Sequence, residues 1–207
     1  NDTGSITSFD SNGFTVGTSS GANSASQNFA AWCFNAGGAA VSGTSSHYTN
    51  CEISANSDAG FSIVNFTIPS GIIPTTASYN HGLNAAPKLI ITKPYNGNYG
   101  TTNWHSWAEA ITTANYLDLN TTAAATTSAI FSSVDSSTVK YRFASNNTGA
   151  DSDVITYNFT DIDGIQKVGS YTGNGGSNFI ETGFEPAFIM QKKTSSTGSW
   201  NIIDNQR

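Results

Sequence analysis

Apolar residues along this chain fall in short clusters separated by stretches of Gly, Ser, Thr and Asn. Val139-Lys140-Tyr141-Arg142-Phe143 alternates apolar and polar positions, the period of a strand with one buried face. Clusters of this kind predict strands at Asn28–Phe34, Phe61–Thr67, Lys88–Lys93, Trp104–Ala108, Tyr116–Leu119, Val139–Phe143, Val154–Phe159, Lys167–Tyr171, Ala187–Lys192 and Trp200–Ile203. Leu89-Ile90-Ile91 and Phe188-Ile189-Met190 are continuous apolar runs, which predicts central strands covered on both faces. Pro87 and Pro186 stand just before them, and proline fits a strand at its first residue. No segment carries a convincing amphipathic helical period. The best stretch, Asn120–Ser132, is Thr-rich and supports a short helical turn at most. Many short strands with polar turns predict an all-β chain, an antiparallel β-sandwich or jelly-roll.

The clusters also repeat. Ser8-Phe9-Asp10 and Phe29 to Phe34 return as Ser133-Val134-Asp135 and Val154 to Phe159, at one offset without a gap (154 − 29 = 159 − 34 = 125). A second passage runs from Gly60-Phe61 through His81-Gly82-Leu83 and Ala86-Pro87 to Trp104. It returns from Gly164-Ile165 through Thr182-Gly183-Phe184 and Glu185-Pro186 to Trp200. With the first passage named B and the second A, the order is B, A, B, A. The duplication predicts β-sandwich modules and three regions: residues 1–60, a B module plus an insert; 61–164, an intact A+B sandwich; and 165–207, a second A module. The two end modules either pack on each other or share one extended core with the rest.

Composition removes several function classes. Charged residues are 11% of the 207, and net charge is −6 with no basic cluster, which argues against a nucleic-acid partner. Twelve Phe, eight Tyr and four Trp argue for order rather than disorder. No apolar run approaches the ~18 residues of a membrane span. Nothing calls for a cofactor, and a chain of this size folds without metal or disulfide. Cys33 and Cys51 could form a disulfide, whose loop of about 18 residues would stabilise by roughly 3 kcal/mol. The favoured reading is two buried free thiols.

Candidate chemistry is sparse. The fourteen acids are scattered; the nearest pairs are Asp151/Asp153, Asp161/Asp163 and Glu181/Glu185. Asp163-Gly164 reads as a turn between strands. His47, His81 and His105 form no metal-ligand spacing, and no Gly-x-Ser-x-Gly elbow occurs. Sequons at Asn65, Asn120, Asn146 and Asn158 are expected by chance in so Asn- and Thr-rich a chain. The richest segment runs from Tyr95 to Trp107, with Tyr95, Tyr99, Asn103, His105 and Trp107 as candidate carbohydrate- or receptor-binding residues. Flat aromatic faces beside amides suit sugar rings, and Tyr supplies rigid contact area at low entropy cost. The competing reading is a hairpin whose Trp104 belongs to the core, since Trp200 stands at its place in the second copy. Tyr95, Tyr99 and Trp107 have no such counterpart.

Phe29-Ala30-Ala31-Trp32-Cys33-Phe34-Asn35-Ala36-Gly37-Gly38, the His81-Gly82-Leu83 to Pro87 turn, Lys167-Val168-Gly169-Ser170-Tyr171-Thr172-Gly173-Asn174-Gly175 and Gly183-Phe184-Glu185-Pro186-Ala187-Phe188 resemble a repeat in virion structural proteins of tailed phages. These come mostly from marine, cyanobacterial and environmental phages. The repeat is often attached to concanavalin-like domains in tail-fibre, spike or capsid-associated proteins. The resemblance covers nearly the whole chain. It implies a non-enzymatic structural β-sandwich module at the virion surface, as a fibre, spike or capsid decoration. Its partners would be other virion proteins, further copies of the chain as a trimer or shell-symmetric array, and a host surface glycan. Ala39–Ala59, with His47 and Cys51, departs by having no counterpart in the second copy. Family arrays usually extend further, so a section of a larger protein is expected. Two other function classes compete: a lectin-like carbohydrate-binding domain, and a glycan-degrading enzyme, which requires two carboxylates roughly 5–10 Å apart.

Overall fold

In the computed structural model, residues 4–29, 31, 33–71, 77–99, 102–128, 130–142 and 150–205 are described. Clusters broken by Gly, Asn and Ser become short strands, and almost no helix forms. In chain order the strands are β1 (Ile6–Asp10), β2 (Gly13–Val16), β3 (Val41–Ser42), β4 (Ser45–Ser46), β5 (Thr49–Asn56), β6 (Phe61–Ile68), β7 (Ser78–Asn80) and β8 (Leu89–Pro94). They continue as β9 (His105–Ala108), β10 (Asn115–Asp118), β11 (Thr126–Thr127), β12 (Phe131–Val134), β13 (Thr138–Tyr141), β14 (Ser152–Phe159), β15 (Phe188–Lys192) and β16 (Trp200–Asp204). Among the described residues the one α-helical turn is α1 (Ser20–Asn23), capped by the Ser19 side chain.

The chain forms two compact units, Asn1–Phe34 and Asn35–Arg207. The first holds the antiparallel β1–β2 hairpin and α1. The second holds an all-β, antiparallel sandwich. Its larger sheet has the order β11-β10-β9-β8-β14-β6-β5-β3, its smaller sheet the order β12-β13-β7-β4, and β15-β16 is a separate two-stranded sheet. β14 is the central strand: it pairs with β6 over its whole length and with β8 from Val154 to Phe159. Strand alternation sorts its side chains. Ser152, Val154, Thr156 and Asn158 are buried, while Asp153, Ile155, Tyr157 and Phe159 lie on the outer, partly exposed face.

Between the sheets, Val64, Phe66, Ile90, Trp107 and Val154 meet Tyr79, Phe131, Val139 and Tyr141 in one apolar cluster. Phe66 stacks on Tyr48 and Tyr79 at centroid distances of 4.4 and 5.2 Å and meets Tyr141 edge-on at 6.1 Å. One polar knot crosses this core. The Tyr79 hydroxyl donates to Asn158 Oδ1 at 3.0 Å, and the Asn158 amide donates to the Ser62 and Thr156 hydroxyls. Buried polar groups so satisfied fix how one sheet sits on the other, because any slip leaves them without partners.

The duplication is visible as register. β1 and β2 pair Ile6 with Val16, Ser8 with Thr15 and Phe9 with Phe14. Adding 125 to each number gives Phe131 with Tyr141, Ser133 with Lys140 and Val134 with Val139, which are the observed pairs of β12 and β13. Even the irregularity after the first pair is shared. In the same way β8–β9 pairs Leu89 with Ala108 and Thr92 with His105, and β15–β16 pairs Phe188 with Asp204 and Gln191 with Asn201. The offsets are 99 on one strand (188 − 89) and 96 on the other (204 − 108), so the register is kept across a loop three residues shorter.

Eight of the ten expected strands form, with ends shifted by a residue or two; Phe143 of one of them lies outside the described residues. Lys167–Tyr171 is extended but in no strand, and the described residues of Asn28–Phe34 are likewise outside any strand, with Ala30 and Trp32 outside the described residues. A contact between Trp32 and Phe188, which packing of the two ends on each other would require, therefore falls on a residue outside the description. The run at Leu89 is central in its sheet, as expected, but only alternate residues are buried. The run at Phe188 is an exposed hairpin strand rather than a covered one. The described part of Asn120–Ser132 contains no helical turn; Thr126–Thr127 pairs with β10 instead. The insert contributes β5, whose Ile53 joins the core. Asp163-Gly164 is a turn, with Gly164 at φ +75°.

His81 has no exposed surface, accepts the Leu83 N–H at Nδ1 (3.1 Å) and donates from Nε2 to the Asp135 carbonyl (3.1 Å). Burial lowers its pKa below the ordinary histidine value, against an opposing pull from the Asp135 carbonyl and carboxylate. Protonating Nδ1 would break the Leu83 bond. Below the unfolded-state pKa of ~6.5 the unfolded chain binds the proton more readily, so stability falls as pH falls. Thermal melts from pH 7 to pH 5 should show a falling midpoint, with a shallower slope in His81→Gln. An unchanged slope in that variant would remove His81 as a contributor.

Candidate functional site

The Tyr95–Trp107 segment links β8 to β9 at the centre of the larger sheet, so strand alternation decides what each residue can reach. Tyr95 continues the outer face of β8: its N–H donates to the Asp153 carbonyl (3.0 Å) and its hydroxyl donates to Asn65 Oδ1 (3.1 Å). The Asn96 side chain bonds both the Asp153 carboxylate and its backbone N–H. Gly97 turns the chain at φ +67°, where a Cβ would lie 1.8 Å from the Asp151 carbonyl oxygen, so no other residue fits. Tyr99 closes a single 3₁₀ turn, held by its N–H to Ser152 Oγ and by Thr102 donating to its carbonyl. Gly100 and Thr101 lie outside the described residues.

Asn103 and His105 converge on one carboxylate. Asn103 donates to Asp118 Oδ2 at 3.0 Å, and His105 Nδ1 lies 2.8 Å from Asp118 Oδ1. Trp200 Nε1 donates to the Asp118 carbonyl at 3.0 Å, and Tyr116 meets the His105 ring edge-on at 4.8 Å. Burial lowers the His105 pKa, partly offset by the Asp118 carboxylate. These contacts tie β9 to β10 and place β16 beside them. Asp118 was not among the expected site residues; a solitary aspartate between apolar neighbours carries no motif that would single it out.

The two tryptophans exchange the roles expected of them. Trp107, expected at the surface, is 4% exposed, packs near Phe131 (6.4 Å) and donates from Nε1 to the Thr112 carbonyl (2.8 Å). Trp104, expected in the core, is 36% exposed. The reason is parity: Trp107 pairs with Ile90, an inward position of β8, and Trp104 lies three residues earlier, on the opposite face. Trp107 therefore drops out as a binding residue. On the outer face, Trp104 lies parallel to Tyr157 (6.4 Å, 20°), Tyr157 to Phe61 (6.5 Å, 5°), and Phe61 meets Phe159 at 4.7 Å. The row runs from the end of the β8–β9 connection to β14 and β6, with Ile63, Ile91 and Ile155 on the same face, and Asn65, Lys93, Asp153 and Tyr95 continue that face.

Cys33 is exposed and Cys51 partly buried, and both are free thiols, so neither the disulfide nor the burial expected of Cys33 is present. The acids nearest the segment hold backbone and side-chain donors: Asp153 accepts from Thr67, and Asp151 from the Ser70 N–H. Among the described residues no group of three or more His, Cys, Asp or Glu could hold a metal ion. No described helix is long and apolar enough to cross a membrane.

Trp107→Ala removes a buried ring and should cost roughly 3–5 kcal/mol, lowering the denaturation midpoint sharply. Trp104→Ala should change it far less. Equal losses in urea titrations of the two variants would contradict the assignment of faces.

A family model, Domain of unknown function (DUF7483), matches residues 1–207, and the chain belongs to that family. No curated protein matches the chain. No solved structure matches it.

Proposed function

We propose that this member of the DUF7483 family is a non-catalytic building module of a tailed-phage virion surface, in a fibre, spike or capsid decoration. The observation that carries the reading is the repeated register: two B hairpins paired alike at an offset of 125, and two A hairpins paired alike at offsets of 99 and 96. A chain that lays down one pairing scheme repeatedly is suited to making length and surface from stacked units. The resemblance of the B and A passages to the tailed-phage virion repeat gives that surface its setting. Low charge and abundant Ser, Thr and Asn fit a protein working outside a cell. Antibody raised against this chain should decorate intact particles in electron micrographs of a phage encoding it. Purified particles that neither bind the antibody nor contain the chain by mass spectrometry would reject the reading.

A second reading, recognition of a surface carbohydrate, is favoured by the outer-face aromatic row. Trp104 and Tyr157 offer apolar ring surface, and Tyr95, Asn65, Lys93 and Asp153 offer polar groups at its edge. This combination suits sugars, which present C–H patches ringed by hydroxyls. Binding to host-surface polysaccharide on a glycan array should fall at least tenfold in Trp104→Ala and in Tyr95→Ala. Binding indifferent to both changes, or no binding by the parent chain, would sink this reading.

A further inference from the structure

Register lays out the outer face of the larger sheet as rows that cross its strands, because directly paired residues point to the same side. One row is Ser54, Ile63, Tyr157 and Ile91, and the next toward one end is Asn56, Phe61, Phe159 and Leu89. Toward the other end come Glu52, Asn65, Ile155 and Lys93, then Thr67 and Asp153, with the Tyr95 N–H on the Asp153 carbonyl. The face grades from apolar to polar, and its polar end carries two carboxylates against one ammonium. Asp153 accepts from Thr67 and Asn96, Lys93 Nζ donates to the Thr102 carbonyl, and Glu52 is exposed. Tyr95, also exposed, stands within reach of both carboxylates. Its pKa is raised first by burial, then by Asp153 and less by Glu52, with the bond to Asn65 pulling the other way.

We infer, on the carbohydrate reading of this face, that it takes an uncharged glycan and turns acidic ones away, with Glu52 as the residue that sets the distinction. A neutral sugar lays its C–H surface on Trp104, Tyr157 and the isoleucines beside them. Its hydroxyls meet Asn65 and Tyr95, which bond each other at 3.1 Å and belong to the side-chain types that both donate and accept. A uronic or sialic acid brings a carboxylate to the same place, between Glu52 and Asp153. The cation of these rows, Lys93, is a point charge already engaged by the Thr102 carbonyl, and it lacks the fork with which arginine grips a carboxylate. Like charges set against each other suppress a wrong partner more than they improve the right one. The net charge of −6 adds repulsion at longer range. Asp153 also holds the start of the loop through Asn96, so Glu52 is the carboxylate whose charge can be removed without loosening it.

The test uses arrays printed with neutral glucan, mannan and galactan polysaccharides and with the carboxymethylated form of each, so that backbone is held constant and charge is varied. At low ionic strength the parent chain should bind a neutral polymer roughly tenfold more tightly than its carboxymethylated form. Added salt should narrow the gap, since exposed charges are screened. Glu52→Gln should narrow it by roughly threefold at low salt, through the loss of one facing charge. Glu185→Gln makes the same change of net charge off the larger sheet and should leave the gap in place. Equal binding of both forms, a preference for the carboxymethylated form, or a gap that the two variants change alike would overturn the assignment of Glu52 and leave the carbohydrate reading standing. A parent chain that binds none of the polymers would remove both.

Discussion

The structure depends on one constraint: the sheet begun by an A module is incomplete until a B strand lies in its middle. β14 pairs on both sides, with β6 along its full length and with β8 along most of it, and these two ladders hold the larger sheet together. The strand also carries the groups that seat the smaller sheet. Val154 enters the apolar cluster, and Asn158 receives the Tyr79 hydroxyl. Because the constraint is met in the chain's middle, the insert can add β5 to the far edge of the same sheet, and the β8–β9 connection can carry an elaborate loop. The β15–β16 hairpin keeps the same register with no second ladder partner among the described residues, and Phe188, Ile189, Ile202 and Ile203 are exposed.

The candidate site inherits its geometry from this central strand. Tyr157, on the outer face of β14, stands between Trp104 of the β8–β9 connection and Phe61 of β6. Asp153, two positions along the same face beyond Ile155, anchors Asn96 and so sets the start of the Tyr95–Trp107 loop. Asp118 serves a different purpose. Its carboxylate holds Asn103 and His105 while its backbone carbonyl accepts from Trp200, so Asp118 ties the end of the loop and the terminal hairpin to β10. A partly buried carboxylate holding two donors is a fixed structural joint, and the loop aromatics are left to meet solvent.

Much of the fold was legible because alternation and repetition act locally. Val139-Lys140-Tyr141 shows its period in three residues, and the offset of 125 between Phe29 and Val154 anticipates matched hairpins that pair alike. What stayed hidden depended on partners distant in sequence. β5 is polar along most of its length and becomes a strand because β6 offers it an edge. Trp104 and Trp107 cannot be assigned to faces until the register of β9 against Ile90 is known. Lys167–Tyr171 has the residues of a strand, yet it is extended and in no strand. Of the candidate site residues, Tyr95 is exposed and Tyr99 partly exposed, whereas His105 and Trp107 are drawn inward by Asp118 and by the β8 pairing.

The same comparison shows what the two copies do not share. The B strand of the sandwich carries Asn158 where the earlier B passage aligns Cys33. A thiol at the Asn158 position would leave the buried Tyr79 hydroxyl without its acceptor, a loss of about 1–3 kcal/mol. Residues 27–34 are thereby disfavoured as a replacement for β14, and the polar knot that seats one sheet on the other is the property of the later copy alone.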